Sequence, residues 1–139
     1  RGVRVAIVVQ GWSDHRVFQQ ASRALYGALL EKGIEIHEYH ASELHAKAAV
    51  ADSRWATVGS SNLDPFSLLL AREANVAVFD EDFARELRAS IDRQMTEGAR
   101  AIPRLVWRQR PLGERVKGWL AYAYARLAMG IAGIGSGWN

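Results

Sequence analysis

Apolar and polar residues at the start of the chain predict a strand followed by a helix. Residues 3–9 are β-branched or apolar on both faces apart from Arg4, as in the central strand of a covered sheet. Ser13 can cap a helix that has Asp14 in its first turn and ends at Gly33. Between these points apolar residues recur at helical spacing, at Val17, Ala21, Leu25, Ala28 and Leu29.

The next three apolar runs predict strands. Residues 34–39 alternate between two faces, and residues 44–50 alternate again after a short polar link. Residues 52–54 have the composition of a turn, and residues 55–58 are then the returning strand of a hairpin. The predicted order to this point is β, α, β, β, β.

The segment up to residue 98 adds one more strand and one more helix. We expect a loop or a short helix at residues 63–75, with Pro65 near its start, and a strand at residues 73–79. Asp80 begins a helix with acidic residues in its first turn, and Gly98 ends it. The predicted fold class is α/β, a mixed β-sheet flanked by helices with a C-terminal helical tail.

Residues 99–139 differ in character, and we predict a domain boundary after residue 98. Basic residues alternate here with aromatic ones, namely Arg104, Trp107, Arg108, Arg110, Arg115, Lys117, Trp119, Tyr122, Tyr124 and Arg126. Several glycines and Arg126 interrupt the apolar run and argue against a membrane-spanning helix. Two alternatives stay open: a helix in the headgroup region of an anionic membrane, or an ordinary C-terminal helix packed on the domain.

Composition limits the class of protein. With 139 residues and 49% hydrophobic content, the chain can bury one core. It has no cysteine, and its His and acidic residues lack metal-ligand spacing, so we expect no metal and no cofactor. The chain starts at Arg1 without a signal peptide, and we expect it to be a piece of something longer.

The positive charge is concentrated in the tail. Residues 1–99 contain 11 Lys or Arg against 14 Asp or Glu, whereas residues 100–139 contain 7 against 1. The local balances are therefore −3 and +6 within a net charge of +3. This distribution indicates an anionic partner for the tail rather than a basic surface on the domain.

The candidate chemistry lies in residues 44–62, which contain the pattern H-x-K-x4-D-x6-G-S-x-N. On a strand, His45 and Lys47 share one face and can reach the same phosphate. A neutral imidazole is a good nucleophile near pH 7 and a good acid once protonated. The lysine ammonium can neutralise the non-bridging oxygens of a phosphodiester.

Residues later in the same pattern can support this pair. Gly59 and Ser60 bring backbone and hydroxyl groups close to the site, and Asn62 offers amide donors to a phosphate oxygen. Asp52 lies in the predicted turn, where an Asx turn accounts for it as well as catalysis does, and we favour the structural role.

A second candidate region follows the first strand. Open α/β sheets bind ligands at the carboxyl ends of their strands, so Asp14 and His15 are candidates for a substrate pocket. The alternative is that Asp14 only caps the helix and His15 is a solvated first-turn residue.

The pattern in residues 44–62 resembles that of the phospholipase D superfamily. The likeness extends from Arg1 to about Gly98 and is most similar to the C-terminal catalytic half of bacterial cardiolipin synthases, B-type group. It implies one half of a phospholipase D fold, with two such motifs meeting at a pseudo-twofold axis. It further implies that His45 is one of two paired histidines, one forming a phosphohistidine while the other transfers protons.

The same resemblance implies roles for other residues and a partner for the reaction. Lys47 and Asn62 would hold the phosphoryl oxygens with support from Ser60, and Glu73 would accept a hydrogen bond from the histidine. The substrate would be phosphatidylglycerol, converted to cardiolipin at an anionic bacterial cell membrane, by a peripheral protein on the cytoplasmic side. We expect no nucleic acid partner.

One departure from the family pattern leaves alternatives open. His15, His37 and His40 all lack a lysine two residues on, so the partner histidine is absent from this chain. The second half-site would come from a missing N-terminal region or from a homodimer partner. A single-motif homodimeric phosphodiesterase or nuclease, and a binding fragment without turnover, are the competing hypotheses.

Overall fold

The computed structural model of the protein describes residues 2–12, 16–62 and 72–135. In chain order the elements in these ranges are β1 (Ala6–Gln10), α1 (Arg16–Ala24), α2 (Tyr26–Glu31), β2 (Glu35–Tyr39), β3 (Ala48–Ala51), β4 (Trp55–Gly59), β5 (Asn75–Val78), α3 (Glu81–Glu97), β6 (Ala99–Ala101), α4 (Arg104–Arg108) and α5 (Leu112–Gly135). A mixed sheet and an antiparallel sheet, flanked by helices and followed by a C-terminal helix, confirm the predicted α/β fold class.

The first sheet has the order β1-β2-β6. β1 runs parallel to β2, with Ala6 opposite Glu35 and Gln10 opposite Tyr39. β6 pairs antiparallel with β2, with Ala99 opposite Tyr39. The domain boundary predicted after residue 98 stays a prediction. Strand β6, which directly follows residue 98, belongs to the first sheet.

The second sheet is antiparallel and has the order β3-β4-β5. The turn between β3 and β4 has positive φ at two successive residues, 51° at Asp52 and 53° at Ser53. Two positive φ values are typical of the type I′ turn, whose twist matches that of the flanking strands. The N–H of Arg54 closes this turn by donating to the carbonyl of Ala51 at 3.1 Å.

The single helix predicted up to Gly33 is in fact two helices. Leu25 separates them, because its N–H donates to the carbonyl of Ser22 three residues back, at 3.1 Å, which tightens the helical turn there. The second helix ends as predicted at Gly33, which has a φ of 80°. The N–H of Ile34 then donates to the carbonyl of Leu29 at 3.1 Å, as in a Schellman motif.

The hydrophobic core lies between α2, β2 and α4. Tyr26, Leu30 and Ile36 are buried, and partly buried apolar residues pack around them, namely Val9, Leu29, Ile102 and Trp107. The rings of Tyr26 and Trp107 stack with centroids 5.0 Å apart, so the segment after β6 contributes to the core. Burial raises the pKa of Tyr26 above its ordinary value.

Helix α3 begins and ends as the sequence predicts. Asp80 has extended backbone angles, and its carboxylate accepts from the N–H of Phe83 at 2.8 Å, which satisfies a donor of the first turn. Gly98 forms the C-cap. The chain then enters β6 directly.

The last described helix packs on the domain with one face and exposes the other. Gly118 is buried against α1, with its Cβ position 3.8 Å from the Cβ of Ala24, and Ala125 is also buried. Among the residues of this helix whose exposure the structure describes, the exposed large apolar ones are Leu112, Val116, Trp119, Leu120, Tyr124 and Leu127. Within the described residues, no helix combines the length and apolar character needed to cross a bilayer.

Candidate functional site

One end of the second sheet brings three separate chain segments together. The N–H of Gly59 donates to the carbonyl of Lys47 at 2.9 Å, and the N–H of Ser60 donates to the carbonyl of Ala74 at 3.0 Å. In an antiparallel sheet the start of β3, the end of β4 and the start of β5 share one edge. We call residues 45–47, 59–62 and 72–74 the sheet rim, and every candidate catalytic residue lies on it.

His45 and Lys47 lie on the rim just before β3. The strand predicted for residues 44–50 begins only at Ala48, although the hydrogen bond from Gly59 continues the pairing to Lys47. The imidazole of His45 is exposed to solvent, and Lys47 is half-buried. The Lys47 Nζ donates to the carbonyl oxygen of His45 at 3.3 Å. The ammonium therefore lies beside the backbone that carries the imidazole.

Ser60 links the end of β4 to the chain that enters β5. Its Oγ accepts from the N–H of Ala74 at 3.0 Å and lies 3.4 Å from the Ala74 carbonyl, to which it donates. In the next pair, Asn75 Nδ2 donates to the Ser61 hydroxyl at 2.5 Å. These contacts fix the rim through three side chains, those of Ser60, Ser61 and Asn75, in addition to the backbone.

Gly59 is required by close packing rather than by a chemical role. A Cβ at this position would collide with the side-chain oxygen of Asn75 and the carbonyl of Ala74, and would lie 2.6 Å from the Cα of Asn75. Glycine therefore lets β5 approach β4 closely at the rim.

Asn62 and Glu73 flank the hydrogen-bonded residues of the rim. Asn62 is exposed two positions after Ser60, and Glu73 is half-buried directly before Ala74. The structure therefore brings His45, Lys47, Ser60, Asn62 and Glu73 to the same rim. That collection can present an imidazole, an ammonium, an amide and a carboxylate to one phosphate.

Three further candidates are not part of the rim. Asp52 lies in the β3–β4 turn at the opposite end of the hairpin, where its positive φ serves the turn. Asp14 and His15, the candidates for a substrate pocket, lie outside the described residues. Among the described residues there is no group of three or more His, Asp or Glu side chains arranged to hold a metal ion.

Residues 1–95 match a known protein family described as "Cardiolipin synthase, PLD-like domain". The chain belongs to this family. Cardiolipin synthase B of Escherichia coli and that of Shigella flexneri are each 36% identical to it over 126 residues. Cardiolipin synthase A of Escherichia fergusonii is 34% identical over 127 residues.

These relatives are much longer than the chain. Each alignment covers 91% of this chain, but only 30% of the two B proteins and 26% of the A protein. The chain therefore spans between about a quarter and a third of the length of the curated relatives it matches. No solved structure matches it.

Gln10 supports the candidate site of this phospholipase D-like domain, a role that the sequence pattern did not predict. The side chain of Gln10, at the end of β1, accepts from the N–H of Leu44 at 2.5 Å and donates to the carbonyl of Ser42 at 3.4 Å. These two hydrogen bonds therefore hold residues 42–44, which directly precede His45, against the end of β1. The signal available in the sequence was a polar amide at the carboxyl end of a strand, where such sheets place their sites.

Proposed function

We propose that this chain supplies one half of the catalytic centre of a phosphatidyltransferase that forms cardiolipin from phosphatidylglycerol. The observation that carries the proposal is the backbone pairing of Gly59 with Lys47 and of Ser60 with Ala74, which joins the segments that contain His45, Lys47, Asn62 and Glu73 at one end of a small sheet. The names of the relatives and the family match support the same substrate class.

In the proposed reaction, the imidazole of His45 and a second imidazole divide two roles, nucleophilic attack and proton transfer. One attacks phosphorus, so that a P–N bond forms and the P–O bond to glycerol breaks, while the protonated partner gives its proton to the departing glycerol oxygen. A hydroxyl of a second phosphatidylglycerol then loses its proton to that partner and attacks the phosphorus of the phosphohistidine, so that a P–O bond forms, the P–N bond breaks and the free imidazole is regenerated. The products are cardiolipin and glycerol.

The other rim residues stabilise this phosphoryl group. Lys47 and Asn62 donate to the non-bridging oxygens, on which negative charge grows as the bond to phosphorus forms. Glu73 accepts from the imidazole of His45 and holds the tautomer whose other nitrogen faces phosphorus. Ser60 keeps the rim in register through Ala74.

The second imidazole must come from outside these 139 residues. His45 is the one histidine of the chain with a lysine two positions later. The partner half-site is therefore carried by another part of a longer protein or by a second copy of this chain. Sedimentation equilibrium of the chain separates these cases, because a homodimer has twice the mass of 15.4 kDa.

Replacing His45 tests the proposal. In the complete enzyme, His45→Ala is expected to lower cardiolipin formation from labelled phosphatidylglycerol by about a thousandfold or more, as for other essential catalytic side chains. His37→Ala is the matched control, since His37 lies in β2 and is expected to leave turnover close to wild type. The measurement is thin-layer separation of the labelled lipids together with a denaturing quench at alkaline pH, which preserves the acid-labile phosphohistidine.

Two results would contradict the proposal. Substantial transfer in the His45→Ala protein would remove this residue from the reaction. Hydrolysis of single-stranded DNA that is lost in His45→Ala, without any transfer between lipids, would replace the transferase by the single-motif phosphodiesterase or nuclease.

A further inference from the structure

A cavity of about 490 Å³ lies between α1, α2, α4 and α5, away from the sheet rim. The polar and aromatic side chains that line it include those of Gln20, Arg23, Trp107, Arg110, Arg115 and Trp119. This volume is within the range of small-molecule sites. None of the candidate catalytic residues contributes to it, so the proposed transfer reaction does not account for it.

The lining of this helical cavity carries more positive than negative charge. Four arginines line it, at positions 23, 108, 110 and 115, against Glu31 and Glu114. Arg23 is already neutralised, since it forms two hydrogen bonds of 2.7 and 2.8 Å with the buried carboxylate of Glu38. Three guanidinium groups therefore face two carboxylates, which leaves an excess of positive charge for a ligand.

Arg110 is the centre of this charge cluster. Desolvation lowers the pKa of Arg110, Glu114 partly offsets that effect, and the charges of Arg23 and Arg115 lower it further. Like charges that repel one another in a partly dry site are stabilised when an anion enters.

The guanidinium group of Arg110 is held in place before any ligand binds. It lies 3.0 Å from the centroid of the Trp107 ring, and its Nε donates to the Trp107 carbonyl at 3.2 Å. Trp107 is itself fixed by stacking on the buried ring of Tyr26. In the described part of the chain Arg110 forms its hydrogen bond through Nε, so both terminal amino groups keep donors for a ligand oxygen. A planar fork fixed in this way matches two oxygens of one phosphate.

We propose that this cavity binds a phosphate-bearing anion, at a site separate from the one that contains His45. The phosphate can belong to a free phosphate ion or to the headgroup of an anionic phospholipid, whose apolar part would contact Trp119. In both cases Arg110 and Arg115 bind the phosphate oxygens, and Trp107 orients Arg110.

The test follows the indole N–H resonance of Trp107 in the 139-residue chain by NMR. One titration uses inorganic phosphate, and a second uses short-chain phosphatidylglycerol below its micelle concentration. Arg110→Gln is expected to weaken binding about tenfold or more through the loss of a charge-assisted hydrogen-bond pair. Arg115→Gln, at an exposed position, gives a second variant that does not depend on the Trp107 contact.

Two controls define the site. Arg93→Gln removes an exposed arginine of α3 and is expected to leave both titrations unchanged. His45→Ala is likewise expected to change neither titration, so that failure of the transferase proposal leaves this one standing. A saturable shift with inorganic phosphate assigns the site to a free phosphate group, and a shift with the lipid alone assigns it to a lipid headgroup.

Three results would overturn the proposal. One is the lack of a saturable shift at Trp107 with either ligand. Another is an equal loss of binding in Arg93→Gln and Arg110→Gln, which would indicate non-specific attraction to the positive charge of the protein. The third is loss of the shift in His45→Ala, which would assign the binding to the rim.

Discussion

Gly59 shows how a single missing side chain shapes the candidate site. It lies opposite Asn75 in the β4–β5 register, and the space that a Cβ needs is already occupied by the backbone of Ala74 and Asn75. Ser60 directly follows β4, and Glu73 lies two positions before the start of β5. Close approach of β5 at this point therefore sets the distance between the two sides of the rim.

Gly59→Ala is expected to destabilise the protein by about 2 kcal/mol, because backbone rather than a flexible side chain must move. The control is Gly113→Ala in the first turn of α5, where a Cβ meets no atom within 4 Å and alanine favours the helix. Urea unfolding of both variants measures the difference. Equal stability of the two would contradict the packing argument.

Gln10 holds the segment that directly precedes His45, although His45 lies 35 positions later in the chain. Gln10→Ala leaves the N–H of Leu44 without its acceptor, and we expect amide exchange at Leu44 to accelerate about tenfold, as for the loss of one hydrogen bond. Gln109→Ala, an exposed amide at the end of α4, is the control. Unchanged exchange at Leu44 would show that Gln10 does not hold the segment before His45.

The ion pair between Arg23 and Glu38 joins α1 to the first sheet. Glu38 is only 4% exposed, and its two hydrogen bonds raise the pKa of Arg23. A buried carboxylate is tolerated because the guanidinium group satisfies both of its oxygens. The pair also fixes the side of α1 that faces β2.

Arg23→Leu is therefore expected to cost about 3 kcal/mol of unfolding free energy, since it leaves a buried carboxylate without its partner. Arg4→Leu is the matched control, because Arg4 forms a similar two-bond pair with Glu35 on the surface. We expect a much smaller loss there. Equal losses by urea unfolding would show that burial of Glu38 contributes nothing.

The order of elements in the chain was largely predictable, and the exceptions have physical causes. The hairpin at residues 48–59 follows from strand alternation and turn residues, and α3 follows from the Asp80 cap and Gly98. The break at Leu25 could not be predicted, since the apolar stripe continues through it. Strand β6 has the sequence alanine–arginine–alanine, which has no preference for strand structure. It forms because α3 ends beside the edge of β2, with which β6 then pairs.

The residues of the candidate site were predictable from spacing, but their supports were not. His45, Lys47, Ser60 and Asn62 stand at fixed positions of one pattern, and the structure gathers them with Glu73 at one rim. The contact of Gln10 with Leu44 joins residues 34 positions apart, which no local pattern contains. Their catalytic roles stay predictions.

Across the whole molecule, charge and exposed apolar surface coincide on the tail. The positive balance of residues 100–139 lies on the same segment as the exposed face of α5. One face of this helix packs on α1, and the other offers apolar side chains beside basic ones. The predicted packing on the domain thus describes one side of this helix, and the predicted membrane contact concerns the other; we propose that this exposed side binds an anionic membrane.

Leu120→Ser combined with Leu127→Ser tests this membrane role without disturbing the core, whereas deletion of residues 104–139 would also remove Trp107 from it. We expect binding to phosphatidylglycerol vesicles to fall at least about tenfold, from the loss of two apolar insertions. Phe79→Ser, which changes a residue that is 82% exposed after β5, is the control. The measurement is vesicle sedimentation at several salt concentrations, and unaltered sedimentation of the double variant would refute the role of this face.

The turn at Asp52 and Ser53 has a practical consequence for handling this protein. Asp52 stands five positions after Lys47, which is about 17 Å along an extended strand. A fluorophore or an immobilising tag attached there would lie at the end of the hairpin opposite the sheet rim. Biosensor surfaces and single-molecule assays built on this attachment point would leave the rim facing the solution.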